Sequence, residues 1–536
     1  MRKSPDLIAV AVAAALALAA SALWAQSAVS YQRLLKADQE PGNWLTYSGN
    51  YQAHRYSRLD QITAANVQRL RPKWMYQMRT THKVETSPLV VDGIMYLTRP
   101  PNDVVALDAE TGRRLWTYQH KVPDRVFVCC GQVNKGVAIL GDRLFMGTVD
   151  AKVVALDAKS GRLLWKTEMA TYTEGYGVTV APLAVKDKVI VGIAGGEYGI
   201  RGFIDAYYAA TGERAWRTYT IPGPGEPNFG TWDGDSWKTG GAPAWVTGAY
   251  DPELNLTYWG TGNPGPDWNG ERRGGDNLYS DSMLALDVDT GKLKWHFQYT
   301  PHDVHDWDAV QVPVLVDSMF RGRQRKLLLH PNRNGFFYVL DRQSGEYLLG
   351  KPYVKQTWAK ELDEKGRPVR LPNTFPTLEG VKVWPGVTGG MNWFSASFSP
   401  ATGLIYVPAQ EQGNIFFTAE ATYKPGNTFT GGGGRPIPSE PGYGAVRAIA
   451  PETGEIRWEH RLHSPPWAGV LATAGQVVFG GSTEGNFFAL HARTGKHLWY
   501  FASGGSIAAN PVSYLAAGKQ YVAIAAGDVL IAFALD

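Results

Sequence analysis

The sequence predicts an all-β fold, an eight-bladed β-propeller built from tryptophan-docking repeats, on three observations. One phrase recurs along the 536 residues: Ala-Leu-Asp-x-x-Thr/Ser-Gly-x-x-x-Trp, with variations. Its first three turn positions, Asp108, Asp157 and Tyr208, lie 49 and then 51 residues apart, close to the blade period of about 40–50 residues. The composition is that of β structure, with 60 Gly, 33 Pro, 19 Trp and 26 Tyr and few helical patterns.

In chain order, residues 1–25 read as a secretory signal. Arg2 and Lys3 precede an apolar run from Leu7 to Leu18, and small residues lead to Ala25. The run is shorter than the roughly 20 residues of a membrane span, and no later stretch is a better candidate. Residues 26–536 are therefore expected as one exported, periplasmic propeller domain with no stable membrane span. The net charge of +4 includes no basic run suited to nucleic acid.

Copies of the phrase stand at 106–116, 155–165, 206–216, 285–295, 448–458 and 489–499. The copy at 339–349 has lost its Trp, and 398–405 reads as a worn one. Each copy is a hairpin: a strand, a turn opened by Asp with Gly where φ must be positive, and a returning strand. An alternating pair such as Ser87 to Leu97 lies upstream, so each unit has about four strands. The repeated Trp is expected to pack between neighbouring blades, where a large flat side chain buries most area. Pro72 to Met78 resembles a last strand without its start, and Tyr521 to Phe533 would supply its partners and close the ring. Uneven later gaps imply insertions. Segments 220–245 and 415–443 would build the channel mouth, with Gly431 to Gly434 a mobile loop.

A propeller does not name a function, so the chemistry must come from residues around the channel. Cys129 and Cys130 are adjacent and are the only cysteines. A bond between neighbours makes a strained eight-membered ring; the alternative is two reduced, buried thiols. No C-x-x-C-H is present, so no covalent haem site lies in these residues. Oxygen-bearing residues stand in unusual settings: Glu197 behind Gly195 and Gly196, Asn263 in GTGNPGP, and Asp303, Asp306 and Asp308 in TPHDVHDWD. Such oxygens are what Ca²⁺ takes, and only a propeller brings segments so far apart together. Trp245, Arg333, Asn392-Trp393 and Trp467 offer stacking faces and a cation for a planar, charged cofactor.

With VCCGQVNKG (128–136), GGEYGIRG (195–202), GTGNPGPDWNG (260–270), TPHDVHDWD (300–308), HPNRNG (330–335) and LATAG (471–475), the chain resembles the PQQ-dependent (quinoprotein) methanol and ethanol dehydrogenases. The similarity runs from Asn43 to the C-terminus. It implies a Cys129–Cys130 disulfide against one face of pyrroloquinoline quinone (PQQ) and Trp245 on the other. It implies a metal held by Glu197, Asn263 and Asp306, with Asp306 also the catalytic base. Glu85, Thr148, Gly195, Gly196, Arg333, Asn392 and Trp467 would touch the cofactor. A small alcohol would be the substrate and a soluble cytochrome c the electron acceptor; a small partner subunit is left open.

Three residues depart from the family pattern. Lys135 stands where Arg is usual and loses the bidentate fork. Ala194 replaces a hydroxyl, and Pro243 lies near a usual Thr. Asp308, two residues beyond Asp306, would point the same way in an extended segment. In the methanol-dehydrogenase branch a second Asp at this offset implies a lanthanide, but polyol-oxidising relatives share the pattern. The expected ion is Ca²⁺, with a lanthanide as the alternative and Asp308 as a further ligand. The rival function is a non-catalytic exported propeller scaffold, which would need only the blades.

Overall fold

The structure, a computed structural model, describes residues 28–126 and 128–536. The expected signal segment lies outside the described residues. Helix is confined among them to Tyr31–Leu35 and a few 3₁₀ turns. Among the described residues no helix is long and apolar enough to cross a membrane.

Eight sheets of four or five strands follow one another among the described residues: 89–118, 138–168, 183–219, 249–298, 314–352, 397–462, 470–502 and 512–535. The eighth takes its fourth strand from the other end of the chain. Leu70–Gln77 pairs antiparallel with Val529–Leu535, Leu70 opposite Leu535. This is the clasp expected from 72–78 and the C-terminal run.

The recurring phrase is the hairpin between the third and fourth strands. Asp108 Oδ1 accepts the backbone N–H groups of Glu110 and Thr111 at 3.1 and 2.9 Å, and Gly112 follows at φ +71°. The indole of Trp116 donates to Ala158 O of the next sheet at 3.2 Å. Its ring covers that sheet's turn glycine: a Cβ on Gly161 would lie 2.5 Å from it. Trp74 over Gly112, Trp165 over Gly212, Trp216 over Gly291, Trp295 over Gly345 and Trp458 over Gly495 repeat the contact. The glycine thus serves twice, supplying a positive φ and the space for a neighbour's ring. Where 339–349 ends in Leu349 instead of Trp, the Lys351 stem and Leu349 cover Gly454. Between the seventh and eighth sheets Trp499 meets Phe533 edge-on at 5.5 Å.

Two expectations are corrected. Residues 398–405 are no docking hairpin but the first turn of the sixth sheet, joining Ser397–Ser399 to Leu404–Glu411. Its Thr-Gly pair serves any tight turn, and only a following Trp marks docking. The glycines from 431 do not form a mobile loop: Gly432–Pro436 is a strand, Phe416 opposite Gly434. Its glycines allow close approach, since a Cβ would strike Phe417 O from Gly432 and Val387 from Gly434. This strand, Asn414–Thr418 and Val381–Val383 form an added sheet. Two of its strands interrupt the sixth sheet, the insertion that the uneven spacing implied.

Segment 28–57 reaches all eight sheets. It meets them at Val90, Gly141, Ala184, Tyr250, Leu315, Phe398, Ala472 and Pro511. At its centre Arg55, fully buried, donates to Pro511 O, Tyr47 O and Ser87 Oγ. Tyr51, Gln52, His54 and Tyr56 meet the third to the seventh sheets in order.

Candidate active site

The lead-ins to the first strands and the loops after the second strands lie at one end of an up-and-down antiparallel sheet. There they surround a space of about 830 Å³, partly open to solvent. Its walls include Glu85, Cys129, Cys130, Lys135, Gly195, Glu197, Trp245, Asp306, Asp308, Arg333, Asn392 and Trp467. Gly196 and Asn263 stand behind this wall. A Cβ on Gly196 would fall 3.4 Å from Asn263 Oδ1, and Asn263 N–H donates to Asp308 Oδ1 at 2.8 Å. Thr148 is placed elsewhere. It is fully buried, and its hydroxyl exchanges hydrogen bonds with the Lys152 backbone of its own hairpin.

Cys129 and Cys130 are joined as a disulfide, which removes the alternative of two thiols. Their sulfurs and a Glu197 oxygen lie within 4.8 Å of one another. A disulfide offers no thiolate, so this closeness makes it a wall beside Glu197 and not a ligand. Lys135 is buried. Its Nζ stands 3.2 Å from Glu85 Oε2 and 4.9 and 5.0 Å above the rings of Trp245 and Trp393. The Trp467 indole donates to Glu85 Oε1 at 3.3 Å. The Pro243 ring fills the gap beside Gly196 and Gly262, where added Cβ atoms would lie 3.0 and 2.8 Å from it.

Asp306 and Asp308 both reach the cavity, but not through an extended strand. Asp306 has φ +61°, a conformation Asp tolerates better than most residues. Arg333 bridges the pair, from Nη2 to Asp306 Oδ2 at 3.1 Å and from Nη1 to Asp308 Oδ2. It also donates to Val387 O at 2.6 Å. Burial, with Asp308 beside it, pushes the Glu197 carboxyl up to about 7. Burial raises Asp306 well above the usual carboxylate range and also raises Asp308, against the pull of Arg333. Behind them Asp267 and Asp281 are fully buried, and neither of their carboxylates meets a hydrogen-bond donor. So many buried carboxylates facing few cations fit a bound metal ion, which would offset the cost of burying them.

The added sheet and the loops flanking its strands are fastened to each acid-bearing loop. Phe429 N–H donates to Glu197 O at 2.7 Å. Trp268 N–H donates to Thr430 O and Asn269 Nδ2 to Ala419 O, both at 2.9 Å. The Trp307 indole donates to Gly386 O at 3.0 Å.

Thr179, Thr388, Lys83 and Val387 also line the cavity and escaped the sequence reading. Thr179 stands two residues before Ala-Pro-Leu as Glu85 stands two residues before Ser-Pro-Leu. That parallel, a polar side chain just ahead of a sheet's first strand, was the available signal.

The chain matches the family described as "Glucose/ethanol/alcohol dehydrogenase, beta-propeller domain" over residues 44–361 and 418–522. It is 40% identical over 556 residues to the quinoprotein alcohol dehydrogenase PedH of Pseudomonas putida, covering 98% of this chain and 93% of that protein. It superposes on a europium-containing methanol dehydrogenase with TM-score 0.90 and 37% identity, over 94% of this chain and 100% of the other. On the quinohemoprotein alcohol dehydrogenase of Comamonas testosteroni the TM-score is 0.89 with 36% identity, over 95% and 84%.

Proposed function

The chain belongs to the PQQ-dependent alcohol dehydrogenase family of β-propellers, and we propose that it oxidises an alcohol to the aldehyde in the cavity described above. The observation that carries this is the convergence, on one cavity, of the disulfide, Trp245, Arg333 and the carboxylates of Glu197, Asp306 and Asp308. A scaffold has no use for that convergence, and the family match sets the scaffold alternative aside.

In this reading the Cys129–Cys130 disulfide and the Trp245 ring would hold PQQ between them. Glu197, Asn263, Asp306 and Asp308 hold the metal. When bound, PQQ supplies the two-electron redox chemistry and the metal Lewis acidity. Asp306 takes the proton of the alcohol hydroxyl. Arg333, bonded to one of its oxygens, fixes its direction. Lys135 and Glu85 hold the cofactor's edge, with Asn392 and Trp467 beside them.

The metal is Ca²⁺ or a trivalent lanthanide. One observation favours the lanthanide over the Ca²⁺ expected from the sequence. Asp308 sits in the cavity wall and shares Arg333 with Asp306, adding a third carboxylate to those of Glu197 and Asp306. Its oxygens already accept from Asn263 and Arg333, but a carboxylate has about four lone-pair sites. We further propose a periplasmic location and a soluble cytochrome c as acceptor.

The test is dye-linked alcohol oxidation after reconstitution with PQQ and either Ca²⁺ or La³⁺. Activity with La³⁺ alone is the expected result. Activity with Ca²⁺ alone would remove Asp308 from the ligand set. No activity and no PQQ uptake with either ion would overturn the proposal.

A further inference from the structure

Asp303 does not line the cavity, yet it holds the turn that delivers Asp306 to it. Its carboxylate, fully buried, accepts the His305 N–H at Oδ1 (3.1 Å) and the Trp307 N–H at Oδ2 (2.9 Å). These are the two residues on either side of Asp306. Clipping both amides closes the chain around one residue, and that residue is the one in the left-handed region, φ +61°.

The loop that leads into the clip is held separately. Arg273 Nη2 donates to Asp303 O at 2.5 Å. Arg370 donates to Pro301 O and His302 O at 2.7 and 2.9 Å. His305 stacks on Trp307 with ring centres 4.2 Å apart. Without the clip, two buried N–H groups lose their acceptor and the backbone of Asp306 is free to leave the left-handed region.

We propose that Asp303 is a positioning residue, whose two hydrogen bonds across Asp306 hold that carboxylate in metal-binding and base geometry. This rests on the metal site proposed above. The prediction is graded. In Asp303→Asn one acceptor oxygen remains while the amide NH₂ faces the other N–H, so one bond is lost. In Asp303→Ala both are lost.

The test is a Tb³⁺ titration of the full chain with PQQ, read by tryptophan-sensitised luminescence, beside turnover of the metal-saturated enzyme. Loss of a residue that orients metal ligands typically weakens metal binding by about 10- to 100-fold. Asp303→Asn is expected near the lower end and Asp303→Ala near the upper. At saturating metal kcat should fall and KM for the alcohol hold. Arg370→Gln loosens the same loop without touching the clip. It is expected to lower the melting temperature and leave Tb³⁺ affinity unchanged. Wild-type affinity and turnover in both Asp303 variants would overturn the inference. So would an equal loss of affinity in Arg370→Gln, because the effect would then be general loosening. Wild-type protein that takes up no Tb³⁺ would instead overturn the metal site itself.

Discussion

The docking belt and the cavity mouth are built on opposite logics. In the belt one contact is repeated, a Trp of one sheet over the turn glycine of the next, and each copy is assisted by its neighbours. At the mouth each group occurs once. Arg333 bridges two acids, Lys135 stands between two indoles, and Asp267 and Asp281 are buried without a donor. The belt therefore tolerates a worn copy, as Leu349 and Lys351 show over Gly454. The mouth has no spare for any position, and it buries charge at a cost in stability. Belt substitutions should change stability and not chemistry; mouth substitutions should do the reverse.

The sharpest test is Asp306→Asn. Turnover should fall by about 10²- to 10⁴-fold, the usual worth of a general base. The cofactor-free protein should melt no lower than the wild type, since the variant removes a buried carboxylate that burial disfavours. Scanning calorimetry and steady-state kinetics on one preparation decide this. A melting point several degrees lower would break the comparison.

Next comes Trp458→Ala. Trp458 is 8% exposed, covers Gly495 and donates to Ala492 O at 2.9 Å. The loss should be about 3–5 kcal/mol of stability, with turnover per folded molecule unchanged, by denaturant titration beside active-site counting. Lower turnover in the folded fraction would show that belt and mouth are coupled.

The smallest expected effect lies between the two regions. His330 is fully buried, stacks on Tyr299 at 4.6 Å and has no hydrogen-bond partner for either ring nitrogen. Burial pulls its pKa down to about 3, against about 6.5 in an unfolded chain. The neutral ring is favoured in the fold. That stability is therefore complete above pH 6.5 and is lost as pH falls toward 3, by about 1.4 kcal/mol per unit. His330→Phe should remove this share, about 2–3 kcal/mol between pH 6.5 and 4.5, seen as a flatter acid limb. An unchanged limb would place the acid sensitivity elsewhere.

What could be read in the sequence follows the same division. The belt was legible because its turn chemistry is strict: Asp108 must cap and Gly112 must take a positive φ. The residues set apart at the mouth were legible by residue type and, for many, by family resemblance. Their directions were not. Asp308 reaches the cavity through a left-handed residue and not along a strand, and Thr148 spends its hydroxyl on Lys152. The added sheet was hidden because Gly432–Pro436 has no alternation to announce a strand. Segment 28–57 was hidden because most of its partners are backbone groups far along the chain.

That last segment also governs how the chain must fold. It is made early in synthesis, yet its partners extend to Pro511, and the clasp strand at 70–77 waits for 529–535. These are pairings of very high sequence separation, and the entropy of closing so long a loop must be met before they form. A growing chain therefore holds seven of its sheets as an open arc with an unsatisfied edge. Folding should be slow and late. A truncation of the last ten residues should do more harm than their number suggests, because it undoes the ring and not merely one strand.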